Sequence, residues 1–452
     1  MSSPKNLWLP LAALALITTA AYADIHVTVY NSDLGVIRET RPLEFQKGSG
    51  IVSFVDVPTA IDATSVGFEL VDKSKSVAIL EQNYAYDLVS PEKIYSKYID
   101  KDIDLFNKEG QLFSGTLLSF SGGSLVLKDK SGKIQIIRLE QIVNVNFPEL
   151  PEGLITRPTL FWRYNSNFSG KTDANVSYQT RGMGWTAEYV GILSEDEKTL
   201  GLNGWASITN SSGATYKDAV LKLVAGDINR AGYARGMARP ETFDKAMMVA
   251  EAPGFEEKAF FEYHLYTLPR PATLANNEIK QISLFDPSSG LVDKEYNYYP
   301  DQNDKDIRVM LKFKNSREAG LGMPLPAGRV RIFKADTDKG MILLGEDRIS
   351  HTPKDEEVKL TIGNAFDIKA EFKVIDYNQI SNRIDEQTFE IKLRNHKKQD
   401  VSINVEKKLY GDWTILESSH KYEKTDASTV KFAVPVAADG TAVVTVRVRT
   451  TR

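Results

Sequence analysis

VSINVEKKLYGDWTILESSHKYEKTDASTVKFAVPVAADGTAVVTVRV, residues 401–448, decides the fold class. Val401 to Lys407, Thr414 to Ser418, Val430 to Val434 and Thr441 to Val448 are short runs rich in β-branched and aromatic residues, separated by polar turns that carry glycine or aspartate. Side chains that alternate in this way bury one face of a sheet and leave the other in water. Ala370 to Tyr377 and Thr388 to Arg394 extend the pattern upstream. Six strands at this spacing predict an immunoglobulin-like β-sandwich over residues 369–452.

The alternation continues toward the N-terminus. Phe260 to Tyr266, Ile279 to Phe285, Ile307 to Phe313, Gly328 to Lys334 and Gly340 to Leu344 read as strands. So do Thr159 to Tyr164, Val176 to Gln179, Thr186 to Leu193, Leu202 to Thr209 and Ala219 to Val224, which together predict a large β region over 155–368. Between Asn229 and Glu257 neither period persists, which predicts a disordered loop. Pro148, Pro151 and Gly153 mark a linker. Before it, five strands between Ile103 and Asn146 joined by tight turns predict a small SH3- or Sm-like barrel within a domain spanning 89–150, entered through a helix that starts at Ser90-Pro91. Residues 24–88 predict an N-terminal β domain, beginning with Ile25, Val27 and Val29 on one face. The expected fold class is therefore all-β, with several antiparallel β domains in series.

Lys5, the apolar run Leu7 to Ala15 and the Ala21-Tyr22-Ala23 pattern read as a signal peptide over 1–23, so the mature chain is expected to start at Asp24 and to be periplasmic or secreted. No later stretch has the roughly 18 to 20 apolar residues that a spanning helix needs, so no membrane span is expected in the mature chain. The 452 residues include no cysteine, which excludes disulfides, thiolate metal sites and a cysteine nucleophile. A formal net charge of -4 with no basic stretch argues against nucleic acid as a partner.

Several distinctive phrases follow one another along the chain: GMGWTAEY at Gly182 to Tyr189, YKDAVLKLVAGDINR at Tyr216 to Arg230, FFEYHLYTL at Phe260 to Leu268, then GEDRISHTPKDEE, LRNHK and GDW. Over about residues 155–450 the chain resembles the bacterial proteins grouped under domain of unknown function 4139, also labelled mucoidy-inhibitor-like. VTVYNSDLGVIRE near the N-terminus resembles the β domain often found with it. Many members carry a coiled coil where this chain has its five-strand segment. The resemblance implies an exported β-rich protein and carries over no activity and no ligand residues.

The motifs of zinc proteases, α/β-hydrolases, P-loop NTPases and dinucleotide-binding proteins are absent, so no catalytic residue, metal site or cofactor is expected. The run Asp301 to Asp306 begins like a calcium loop but has Lys305 at its fifth position and Lys312 at its twelfth. Candidate binding residues fall in three places. Glu346, Asp347, Arg348 and His351 form the densest ionisable group; alternation sets Asp347 and His351 on one side and Glu346 and Arg348 on the other. One reading has Asp347 orienting His351 toward a ligand, and the other has Arg348 pairing with a carboxylate to hold the sheet. Asp227, Asn229 and Arg230 close a strand and line a cleft or a turn. Trp185, with Trp162, Tyr164, Tyr178 and Tyr189, forms either an aromatic platform for sugar rings or part of the core.

These features fit an exported envelope protein without catalytic activity, binding protein or surface polysaccharide. The alternative is a glycosidase-type hydrolase whose acid and base come together from distant strands.

Overall fold

The computed structural model describes residues 24–151, 153–226, 228–229, 255–302 and 305–451. Two-thirds of the chain is strand (66%) and only 3% is helix, distributed over several separate sheets, so the protein is all-β. The expected signal peptide at 1–23 and nearly all of the expected loop at 229–257 lie outside the described residues. The end of that loop is a strand, Glu256–Phe260, hydrogen-bonded to Tyr263–Thr267.

The chain divides into two compact units that interleave in sequence. Among the described residues the first holds 24–26, 37–57 and 62–178, and the second holds the remainder. In the first, Thr159–Ser166 lies between Gly48–Val55 and Val77–Ala85, antiparallel to both. The N-terminal sheet therefore takes its central strand from beyond the linker, past the boundary expected at 88. Gly170–Thr180 lies between Gly35–Phe45 and Ile61–Leu70 in a second layer. Large rings join the layers: Phe45 meets Tyr164 edge-on at 4.9 Å, and Phe68 meets Trp162 at 5.4 Å. Glu39 is buried here and is held by Arg41 and by the hydroxyl of Tyr178.

The helix begins where the sequence places it. Ser90 caps Pro91–Lys97, its hydroxyl accepting the Lys93 amide proton. Five strands follow: Asp102–Asn107, Leu112–Ser121, Ser124–Lys128, Ile134–Arg138 and Ile142–Asn146. The last of them pairs with the first, and the others follow in chain order. Leu105, Leu117, Leu125, Leu127 and Ile137 fill their core, and Tyr95 and Tyr98 close it from the helix side.

In the second unit a nine-stranded sheet holds the C-terminal strands. It also takes in Asp293–Tyr298 and Asp306–Lys314, and the boundary expected at 369 falls inside one continuous strand, Glu357–Ser381. The reason lies in the core: Tyr296, Tyr298 and Ile307 pack in the same buried cluster as Phe389, Phe432 and Val446. A separate five-stranded sheet has Met183–Leu193 at its centre. On one side lie Thr199–Asn210 and then Glu278–Leu291; on the other lie Gly328–Ala335 and then Met341–Ile349.

Candidate functional site

The five-stranded sheet has a strict division of faces. Trp185, Ala187 and Tyr189 point inward and are buried, whereas Thr186, Glu188, Val190 and Ile192 alternate with them on the outer face. The inner face is fixed by polar anchors as well as by area. Trp185 is 1% exposed, and its indole N–H donates to the Val224 carbonyl at 3.0 Å. The Tyr189 hydroxyl donates to the Pro326 carbonyl at 2.8 Å, and burial pushes its pKa far up, so it stays a donor. Gly204 leaves room for the Phe285 ring, which lies 6.3 Å from that of Tyr189.

Because the inner face is locked, the register fixes which side chains meet outside. Glu188 is opposite Trp205 on one neighbour and level with Arg329 on the other. Trp205 is in turn opposite Ser283, and Arg329 is opposite Arg348. One row thus runs Ser283, Trp205, Glu188, Arg329, Arg348 across all five strands, over about 19 Å at the usual strand spacing. Trp205 is half-buried, and its indole N–H has no acceptor among the described residues. Thr186, Ser207 and Gln281 form a polar row beside it.

Charges on this face are organised into a lattice. Arg329 donates from Nε and Nη2 to the two oxygens of Glu188, both at 3.1 Å. Arg331 donates to Glu188 at 3.0 Å and to Glu346 at 2.9 Å. The second Glu346 oxygen lies 3.5 Å from Arg329. The Glu188 carboxylate, by accepting these bonds, raises the Arg329 pKa above its already high ordinary value.

Of the residues singled out in the sequence, Glu346 and Arg348 are on this face, side by side as alternation requires. The arginines that pair with carboxylates are Arg329 and Arg331, not Arg348. Asp347 turns the other way. Its oxygens accept the amide protons of Arg348 and Thr361, tying its strand to Glu357–Ser381. His351 follows the strand's end at Ile349, where alternation no longer governs direction, and its Nδ1 accepts the Ala327 amide proton at 3.1 Å. Both groups staple backbone.

Trp185 belongs to the core and so does not form an exposed platform, and Trp162, Tyr164, Tyr178 and Tyr189 are each buried too. Asn229 is exposed, while Asp227 and Arg230 lie outside the described residues. Sequence reading passed over Trp205, Glu188, Arg329 and Arg331. The signal for them was present: Asn203, Trp205, Ser207 and Thr209 alternate with Leu202, Gly204, Ala206 and Ile208, so a tryptophan occupies the polar face of an amphipathic strand.

Among the described residues, no group of three or more histidine or acidic side chains is arranged to hold a metal ion. A cavity of about 10 Å³ in the second unit is lined by Leu200, Leu202, Gly290, Leu291, Phe313 and Leu321. It is apolar, has room for about one water, and falls far below the roughly 300–1,000 Å³ typical of small-molecule sites. Asp301 and Asp306, from the run resembling a calcium loop, pair with Lys407 and Lys369. No protein-family model matches the chain, and no curated protein matches it in sequence.

Proposed function

We propose that this chain is an exported, non-catalytic binding module of the bacterial envelope, and that the outer face of its five-stranded sheet holds surface polysaccharide. One observation carries the reading: a row of half-buried and exposed side chains on the outer face, in which an indole whose N–H has no acceptor among the described residues lies among guanidinium, carboxylate, hydroxyl and amide groups. A sugar chain offers apolar ring faces edged by hydroxyl groups. An indole takes the ring face, and the polar neighbours take the hydroxyls. An open sheet face about 19 Å wide suits a polymer that runs across it better than a small molecule that must be enclosed.

Export rests on the Lys5 to Ala23 pattern and on the resemblance to the mucoidy-inhibitor-like proteins. From strand spacing and turns we read residues 103–146 as an SH3- or Sm-like barrel and the C-terminal strands as an immunoglobulin-like sandwich. The lattice speaks against glycosidase chemistry on this face. Both Glu188 oxygens already accept guanidinium protons, so neither is free to deliver a proton to a glycosidic oxygen.

The experiment is affinity electrophoresis of the mature chain through gels cast with polysaccharide, including envelope polysaccharide from the source cells. Trp205→Ala is expected to weaken retention about tenfold, corresponding to roughly 1.4 kcal/mol for a lost aromatic contact. Equal retention of parent and variant in every gel overturns the assignment to this face.

A further inference from the structure

The charge lattice is unbalanced, and the imbalance has a location. Arg329 and Arg331 share Glu188 and Glu346 between them, so their forks are spent. Arg348 is exposed on the same face directly opposite Arg329, and among the described residues no carboxylate lies within 4.0 Å of it. Like charges directly opposite on antiparallel strands repel, and a guanidinium with an open fork favours a bidentate oxyanion. An anion seated at Arg348 relieves the repulsion and uses the fork.

We infer that this face selects anionic polysaccharide, with one sugar ring on Trp205 and an acidic substituent of the same chain at Arg348. This rests on the polysaccharide reading above and names its ligand class. Trp205 and Arg348 are three strand spacings apart, about 14 Å, so the acidic group belongs to a ring further along the polymer than the one on the indole. That separation sets a minimum length: single acidic sugars reach one anchor or the other, and only an oligomer reaches both. Two weak anchors joined by one chain bind as a linked pair, which favours polymer over monomer strongly.

The test uses the full mature chain and three probes: polygalacturonate, the same polymer methyl-esterified so that its carboxylates are neutral, and dextran sulfate as a sulfated source of the same negative charge. Parent protein is expected to be retained at least tenfold more strongly by the acid form than by the ester, with the difference shrinking as salt rises. Arg348→Gln should bring acid and ester to equal retention. Trp205→Ala should weaken both, and Trp205→Phe should restore part of the loss. Retention by dextran sulfate but not by polygalacturonate assigns the site to sulfate esters within the same class. If parent protein holds the ester as firmly as the acid, or if Arg348→Gln keeps the parent's preference, selection by charge is overturned while the polysaccharide reading stands. If no gel retains the parent, both fail together. Circular dichroism melts of each variant guard against loss of fold.

Discussion

Glu197 shows how one residue in a hairpin turn can hold two further strands. It stands in the turn between Met183–Leu193 and Thr199–Asn210 with a left-handed φ of 61°, and accepts from Lys334 at 2.7 Å and also from Lys294. Burial pushes its carboxyl pKa up, but the hydrogen bonds from the two lysines outweigh this and hold it below the ordinary glutamate value of 4.5. A carboxylate depressed in the folded state stabilises the protein above its unfolded pKa, and that stability is lost as pH falls through the folded pKa. Glu197→Gln should therefore cost about 0.5–1 kcal/mol at pH 7, a modest figure because the side chain is a third exposed. Urea melts at pH 7, 5 and 3 should show the gap between parent and variant closing toward pH 3. A gap that stays constant over that range would mean that charge plays no part. The two tryptophans make the complementary point: Trp185 and Trp205 lie on strands of the same sheet, and only the face to which each points separates core from candidate site.

Among elements, the parallel pair formed by Met183–Leu193 and Gly328–Ala335 does most to build the candidate face, since it sets Glu188 level with Arg329. Its entry point is tight. A Cβ placed on Gly328 would lie 2.1 Å from the Ala187 carbonyl oxygen, a backbone atom that cannot swing aside. Gly328→Ala is expected to destabilise the protein by about 1–3 kcal/mol through overpacking. It should also speed hydrogen exchange at the amides of residues 187–193. Parent-like melting together with unchanged exchange would show that the strands can part enough to admit a methyl group at no cost. The five strands from Asp102 to Asn146 are a contrasting case, because their pairing is almost wholly between sequence neighbours and their turns could be read directly.

For the whole molecule, the units do not follow the order of the chain. The C-terminal sheet needs Tyr296, Tyr298, Ile307 and Ile368, all of which precede residue 369. At roughly 1.5–3 kcal/mol for each buried side chain, losing four removes about 6–12 kcal/mol. That matches the entire net stability of a typical domain, about 5–15 kcal/mol. A fragment of residues 369–452 is therefore expected to melt without cooperativity, whereas residues 292–452 should show a sigmoidal urea transition and near-ultraviolet dichroism. A sharp transition in the shorter fragment would instead establish an independent domain starting at 369.

By itself, the sequence determined most of the strand positions, though not Asp293–Tyr298 or the first half of Glu357–Ser381, together with the capped helix at Ser90-Pro91 and the all-β class, because alternation, turn chemistry and capping are local and operate within a few residues. It also set Glu346 and Arg348 on one side of a strand and Asp347 on the other, which depends only on the pleat. Tertiary structure alone decided which strands distant in sequence became neighbours. Thr159–Ser166 joined strands more than 70 residues earlier, and Gly328–Ala335 lay beside Met183–Leu193; the backbone hydrogen bonds that pair them are the same for any two strands and carry no local signal of the partner. The candidate site depends on that second kind of information. Its row draws Ser283, Trp205, Glu188, Arg329 and Arg348 from five strands, and no local rule relates residues that come together only when distant strands pair.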